Sequence, residues 1–493
     1  MENLGTIITF VAYLAFMLAI GSHFYKKNES LSDYLLGDRQ LNKWVAAMSA
    51  QASDMSGWLL LGLPGYAYLQ GLEASWIALG LAVGTYLNWR FVARRLRCYT
   101  ELAGNAITLP DYFANRFHDT DRLLRTLSAV FILVFFLIYT ASGFVAGAKL
   151  FESVFGLPYR SALLIGVVVI ISYTALGGFM AVSWTDFFQG IIMFFAIISV
   201  PLLAVHATGG FSETTTQLQA VDAGYLNLFT NAQGQPLAAI PILSLMAWGL
   251  GYFGQPHILA RFMAIRSAKE IKPARRIAMV WVLISLACAL LVGLLGRIYL
   301  PETLAAADSE KIFMLLVDRL THPVLGGILL AAVLAAIMST ADSQLLVTSS
   351  ALTEDLYRVI VRPSASEKEL VWVSRGTVIG VAAIACGIAL NPENSVLDLV
   401  AYAWAGFGAT FGPLVILSLY WKRMTRNGAI AGIVGGGITV LIWKQLEGGI
   451  FDLYEIVPGF LISILLIVAT SLLGSKPDPA VASEFKSATQ ATT

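Results

Sequence analysis

Asp54 carries the most demanding chemistry in the chain. It lies about ten residues into an apolar run, 44–70. A carboxylate at that depth in a bilayer costs about 2.5–3.5 kcal/mol on insertion scales. A partner must offset the cost. No Lys or Arg stands in the middle of any apolar run, which favours a cation or a proton over a structural ion pair. A second constellation lies far downstream, in Ala335-Ala336-Ile337-Met338-Ser339-Thr340-Ala341-Asp342-Ser343. Ala336, Ser339 and Thr340 recur at i, i+3 and i+4 and share one helix face. Two readings stay open. The hydroxyls bond back to their own helix, or they and freed carbonyls form a site for a small hard cation. Neutral oxygens suit a monovalent ion that must leave again, and the carbonyls of Ala52 and Met55 could complete the set. Asp186 and Asp342 are further acids near the membrane. Asp186 is a candidate boundary residue in contact with water.

Two apolar runs are interrupted. One reads Gln51-Ala52-Ser53-Asp54-Met55-Ser56-Gly57-Trp58, then Gly62-Leu63-Pro64-Gly65. The other reads Trp248-Gly249-Leu250-Gly251-Tyr252-Phe253-Gly254-Gln255-Pro256. Gly and Pro weaken the backbone ladder and free N–H and C=O groups. Inside a membrane those groups need partners in the protein or in a wet cavity. Paired breaks in two halves of a chain point to a transporter's binding site. Trp58, Tyr139, Trp248 and Tyr252 sit in mid-run beside the breaks, too deep for an interfacial belt. They are candidate walls of a pocket, with half-helix N–H groups to hold a carboxylate and the Gln255 amide beside them. A pocket without fixed charge suits a small zwitterion or neutral solute. The spelling Gly249-x-Gly251-x-x-Gly254 matches a dinucleotide fingerprint, but no strand precedes it, so the glycines read as packing.

These residues need a scaffold, and composition says which kind. Of 493 residues, 57% are hydrophobic and 13% charged, and the mean hydropathy is +0.73. Ordinary soluble domains carry about 25% charged residues. A polytopic, all-α membrane protein is the class that remains. The net charge of +1 gives no sign of a nucleic-acid partner. Cys98, Cys288 and Cys386 show neither CxxC spacing nor metal-ligand spacing and read as small buried side chains. The run from Leu4 to Phe24 follows no basic stretch and is long enough to span, so it reads as a first span and not as a signal peptide.

At about 1.5 Å per residue a span needs roughly 20 apolar residues. Thirteen runs qualify: 4–24, 44–70, 73–93, 126–150, 161–180, 185–206, 239–260, 277–300, 324–350, 374–391, 396–420, 428–445 and 454–473. Their odd connections are 25–43, 94–125, 181–184, 261–276, 351–375 and 421–427. With the tail, these hold 25 of the 32 Lys and Arg, whereas the other side holds six. Positive charge marks the cytoplasmic face, so the N-terminus is expected outside and the C-terminus inside. The connection 207–238 has no Lys or Arg, as a translocated loop should. Asn28-Glu29-Ser30 spells a glycosylation sequon, but on the cytoplasmic side.

Spans two to six and seven to eleven form two blocks of five, each opened by a broken helix. An odd number per block inverts the second relative to the first. The expected organisation is a first helix and cytoplasmic loop (1–43), a first five-helix repeat (44–206), an extracellular loop (207–238), a second repeat (239–420), two additional C-terminal helices (421–474) and a disordered cytoplasmic tail (475–493). A membrane enzyme would need a nucleophile–base pair or metal ligands at depth, and the five His residues are scattered. A channel would show repeated filter loops, and a sensor would need a signalling domain longer than the tail. Proton coupling through Asp54 is the nearest rival to a metal cation.

The stretches 52–58, Thr108-Leu109-Pro110-Asp111-Tyr112-Phe113, Ser183-Trp184-Thr185-Asp186, Gly249 through Arg261, Met338-Ser339-Thr340 and Ala403-Trp404-Ala405-Gly406-Phe407-Gly408 together resemble the sodium:solute symporter family. Within it they are most similar to bacterial sodium/proline symporters, over nearly the whole chain. The resemblance implies a leucine-transporter-type core of two inverted repeats in a bacterial inner membrane. It implies sodium held by the carbonyls of Ala52, Met55 and Ala336 and the hydroxyls of Ser339 and Thr340. It implies coupling through Asp54, with Asp186 near the site, and L-proline bound at or beside Ser56, Gly57, Trp58, Tyr139, Trp248, Tyr252, Gln255 and Pro256. Sodium is cargo there, and no cofactor or enzyme activity is implied.

Overall fold

In lipid the backbone must satisfy its own polar groups, and helices do so within one segment. The computed structural model describes residues 4–25, 31–174, 178–222, 224–300 and 303–491, and among them the regular elements are helical. Two isolated bridges, Leu41 with Ile265 and Thr230 with Pro236, are the only strand-like pairings there. In chain order the helices are α1 (Leu4–Tyr25), α2 (Leu31–Leu36), α3 (Lys43–Asp54), α4 (Leu63–Gln70), α5 (Ser75–Leu87), α6 (Ala93–Leu102), α7 (Leu109–Arg116) and α8 (Leu123–Phe155). Then come α9 (Tyr159–Thr174), α10 (Phe179–Ala207), α11 (Phe211–Gln219), α12 (Ala239–Met246), α13 (Pro256–Ala264), α14 (Ile271–Tyr299), α15 (Ala306–Ser309) and α16 (Ile312–Leu320). The last are α17 (Pro323–Ser350), α18 (Glu367–Ile388), α19 (Val396–Tyr420), α20 (Arg426–Trp443), α21 (Ile456–Leu473) and α22 (Pro479–Ala491).

Side-chain caps start several of them by accepting from otherwise orphaned N–H groups. Asn42 caps α3, Thr108 caps α7, Ser366 caps α18, Ser395 caps α19 and Thr425 caps α20. The core runs through α17 and α19, which are mostly buried, with α3, α8 and α10 packed around them. Helices α1, α18 and α21 turn most of their surface outward.

Nine helices among the described residues are long and apolar enough to cross a bilayer. The other four expected runs are shorter or divided. The run 44–70 is α3, a bend and α4, joined by a π-turn at Trp58–Gly62. The run 73–93 continues from α5 through a second π-turn, Asn88–Val92, into α6. Helix α9 ends at Thr174, and 239–260 is α12, a 3-10 segment and α13. The segment 181–184, expected as a connection, lies inside α10. Gly and Pro mark the breaks in 44–70 and 239–260, whereas the π-turn at Asn88–Val92 carries neither and leaves no mark in the apolar pattern.

The tail also departs from expectation. Residues 479–491 form α22, with Asp478 accepting from the Ala480 N–H at its start. Val481, Phe485 and Ala488 make an i, i+4, i+7 stripe that is buried against α6 and its neighbours. The Phe485 ring lies 6.3 Å from that of Tyr99, and Glu484 meets His118 Nε2 at 3.1 Å. The sequon at 28–30 lies outside the described residues.

Candidate substrate and cation site

Helix α3 ends at Asp54 because Met55 leaves the helical region (φ −84°, ψ 75°). The chain crosses Ser56 and Gly57 before winding again. Gly57 sits close to α8, where a Cβ would stand 2.8 Å from that of Ala146. The bend frees carbonyls, and they find partners. The Asp54 carbonyl accepts from Trp58 Nε1 at 3.0 Å and from the Tyr139 hydroxyl at 3.3 Å. The Ala52 carbonyl accepts from Ser339 Oγ at 2.8 Å and Thr340 Oγ1 at 3.3 Å, both on α17. Ser339 Oγ is also 3.2 Å from the Ala336 carbonyl. Four of the five expected sodium ligands are therefore gathered by direct contacts, and Met55 forms the bend beside them. All of them are at most 3% exposed, so an ion among them would sit away from bulk water.

The second break is built differently. From Ala247 to Gly254 the chain is a 3-10 helix, then Gln255 is extended (φ −77°, ψ 108°) before Pro256 opens α13. Proline at position 256 accounts for that conformation, since it disfavours the helical region for the residue before it. The glycines answer to close approach. A Cβ on Gly249 would stand 2.2 Å from the Gly80 carbonyl oxygen, on Gly251 1.9 Å from Trp404 Nε1, and on Gly254 2.1 Å from the Phe407 carbonyl oxygen. Loosened carbonyls are again covered by neighbours. Trp404 Nε1 donates to Trp248 O at 2.7 Å, Asn88 Nδ2 to Tyr252 O at 2.9 Å, and Gln255 Nε2 to Gly251 O at 3.2 Å.

The two breaks meet. The Tyr252 hydroxyl donates to Asp54 Oδ2 at 2.7 Å, and the Trp58 and Trp248 rings lie 6.3 Å apart. Asp54 thus turns toward the 3-10 segment and not toward Ser339 and Thr340. Among the described residues its Oδ1 has no hydrogen-bond partner, nor have Gln255 Oε1 and the two ring nitrogens of His257, which packs on Tyr139 at 6.1 Å. Ser56 accepts weakly from the Trp58 N–H at 3.4 Å.

Asp186 does not stand at a wet boundary. It is fully buried, and its Oδ2 receives Arg261 Nη2 at 3.0 Å and Ser49 Oγ at 2.6 Å. Arg261 also reaches Ser49 Oγ at 3.1 Å and Ser343 Oγ at 2.5 Å. The expectation of no deep basic residue fails here, because α13 runs on to Ala264 and carries Arg261 inside. Its Nη1 also donates to the backbone carbonyl of His257, at i−4 on the same helix, at 3.0 Å.

Sequence reasoning gave no role to Trp404 or Asn88, which hold the 3-10 carbonyls. It also missed a buried lock on the far side of the breaks. Glu310, at the end of α15, accepts Lys149 Nζ at 2.6 Å and caps α19 through Ser395 Oγ (3.1 Å), Val396 N (3.0 Å) and Leu397 N (3.0 Å). No sequence pattern announces it, because its partners come from distant helices. On the other face Arg125 joins Asp111 at 3.3 Å, Glu354 at 3.4 Å and Asp355 at 2.6 Å, tying α7 and α8 to the π-helical extension of α17 over Ala351–Val361.

Residues 34–436 match the model of the sodium:solute symporter family. The chain is 51% identical over 487 residues to the sodium/proline symporter of Salmonella typhimurium, covering 98% of this chain and 96% of that one. It is 51% identical over 471 residues to a high-affinity proline transporter of Bacillus subtilis, covering 95% and 98%. Among solved structures, a Na+-coupled sialic acid symporter in a substrate-bound outward-open state superposes with a TM-score of 0.80 at 19% identity, covering 97% of this chain and all of that one. A nucleobase-cation-symport-1 family transporter in a closed conformation gives 0.54 at 13% identity, covering 94% and 99%. At those identities the superpositions speak for the fold alone. With the family model matched across most of its length, this multi-pass membrane chain belongs to the sodium:solute symporter family.

Proposed function

We propose that the chain is a secondary active transporter that couples inward movement of sodium to uptake of L-proline. The observation that carries this reading is the junction of the two breaks, with Asp54 bonded to Tyr252 at 2.7 Å and the Ala52 carbonyl held by Ser339 and Thr340. Sodium is bound by the carbonyls of Ala52, Met55 and Ala336 and the hydroxyls of Ser339 and Thr340. Proline lies at Ser56, Gly57, Trp58, Tyr139, Trp248, Tyr252, Gln255 and Pro256. The unpartnered Asp54 Oδ1 and Gln255 Oε1 suit the substrate's ammonium, and N–H groups at the half-helix ends suit its carboxylate. Asp54 links ion and substrate. Asp186, held by Arg261, braces α10 against α3 and α13 beside the ion.

The architecture we assign is thirteen spans, the nine long helices plus the four divided or short runs. The two five-helix repeats are 44–206 and 239–420. The segments 1–43, 207–238, 421–474 and 475–493 are additions to that core. The charge distribution orients the N-terminus outside and the C-terminus in the cytoplasm.

Transport runs by alternating access. Sodium entering from outside bridges α3 to α17 and favours the arrangement in which the breaks form the proline pocket. Proline in turn stabilises the ion site, because coupling between two ligands is reciprocal. One charge moving through 100 mV releases about 2.3 kcal/mol, which supports roughly 50-fold accumulation. Proteoliposomes with labelled proline test the reading: uptake should need an inward sodium gradient at fixed pH. Equal uptake with potassium in its place, or uptake driven by a pH jump without sodium, would reject the ion assignment. Failure of unlabelled proline to compete best among amino acids and sugars would reject the substrate.

A further inference from the structure

A cleft of about 370 Å³ opens on the outer surface of the bundle between α3, α10 and α14. Trp44 and Met48 form one wall, Phe194 and Phe195 another, and Val280 and Trp281 the third. Its size is that of a small-molecule pocket, and its lining is apolar except at one end. There Arg276 closes the rim. Arg276 and Lys272, one turn before it, are exposed and have no ion-pair partner among the described residues. No Asp or Glu occurs between Glu270 and Glu302, so nothing on α14 neutralises that end. Glu270 is itself engaged by the Lys43 backbone N–H at 2.8 Å and by the Arg266 side chain. Trp44, 53% exposed, stands at the same end, the height at which indoles anchor to the membrane interface.

We infer that this cleft binds one anionic phospholipid of the cytoplasmic leaflet, its acyl chains between the aromatic walls and its phosphate on Arg276. A lipid chain is the apolar ligand that a bilayer presents to such a surface from the side. A basic pocket between spans at the cytoplasmic end favours an anionic headgroup. A zwitterionic headgroup would bring its own cation against Arg276 and Lys272. The floor of the cleft bears on the transport machinery. Trp281 Nε1 donates to Gly190 O at 3.0 Å, and Met48 packs on Gly190 one turn before Ala52. A bound lipid therefore braces α3 against α10 next to a sodium-ligating carbonyl. The leaflet assignment rests on the orientation proposed above, whereas the binding itself does not.

The test uses the full chain, purified and delipidated in neutral detergent. It is offered phosphatidylglycerol and phosphatidylcholine of identical acyl chains in equal amounts, and retained lipid is counted by native mass spectrometry. The wild type should keep phosphatidylglycerol several-fold over phosphatidylcholine. Arg276→Gln should lower that preference about fivefold, equivalent to about 1 kcal/mol per basic residue at an anionic surface, and Arg276→Lys should keep it. Val280→Trp, at a position 58% exposed, should fill the cleft and lower retention of both lipids. Undiminished preference in Arg276→Gln or undiminished retention in Val280→Trp would overturn the inference. So would displacement of the lipid by millimolar glycerol 3-phosphate, since that would make this a site for soluble anions.

Discussion

The Glu310 lock lends itself to a quantitative perturbation. Glu310 is 4% exposed, and its carboxylate serves three neutral donors at the start of α19 and the Lys149 ammonium. Glu310→Gln keeps the volume and part of the N–H acceptance but removes the charge. Removing one member of a buried ion pair costs about 3–5 kcal/mol, and an anion at a helix N-terminus adds about 0.3–1 kcal/mol. Gln retains some of the hydrogen bonding, so about 3 kcal/mol is the expected loss. The loss falls only on the arrangement in which α15 sits on α19. A conformation with that loop lifted wets Lys149 and pays nothing. At 1.4 kcal/mol per tenfold, the balance should move toward the lifted state by about a hundredfold. Leu397 reports it, because its Cβ faces the first break at 3.1 Å from where a Cβ on Gly62 would stand. With Cys98, Cys288 and Cys386 replaced, Leu397→Cys should react with an impermeant maleimide up to about a hundredfold faster in the Glu310→Gln background. Proline uptake should fall in parallel, and adding Lys149→Met should recover part of both. A labelling rate within twofold of the parent would refute the idea that this carboxylate holds α15 on α19.

Ser339→Ala and Thr340→Ala should each raise the sodium concentration for half-maximal uptake by roughly tenfold or more, since an interaction with a charged partner is worth about 1.5–3 kcal/mol; unchanged sodium dependence removes that residue from the site. Asp54→Asn should shift sodium dependence in the same direction, read in the same uptake assay. Gly251→Ala places a methyl 1.9 Å from Trp404 Nε1, so it should displace the indole from Trp248 O and abolish proline binding while Leu250→Ala does not. Breaking the buried Asp186–Arg261 pair with Arg261→Met should lower thermal stability by about 3–5 kcal/mol, and Asp186→Leu in the same chain should restore much of it; failure of the double variant to recover would mean that the pair acts through more than its charges.

Much of this was legible in the residues themselves. The apolar runs, the helix breaks and the i, i+3, i+4 spacing of Ala336, Ser339 and Thr340 follow from local composition and from periodicity. Both survive into the structure because each depends on a single helix. What escaped depends on which helices become neighbours. Trp404 and Asn88 matter only because α19 and the turn after α5 lie against the 3-10 carbonyls. Arg261 was assigned to a loop because a charged residue in an apolar context reads as a boundary. Asp186 and two serines compensate it from α10, α3 and α17, and one-dimensional charge counting has no access to that compensation. The tail misled through its Ala, Ser and Thr content, although Val481, Phe485 and Ala488 already spelled an amphipathic stripe.

That stripe bears on how the molecule can be handled. A reporter protein joined directly to Thr493 would begin two residues beyond a helix seated with Phe485 buried and Glu484 against His118. A folded barrel at that distance would lever on His118 and Tyr99 through that helix. A glycine–serine spacer of about ten residues, spanning roughly 17 Å on average, would let the reporter tumble while the last helix stays in its berth.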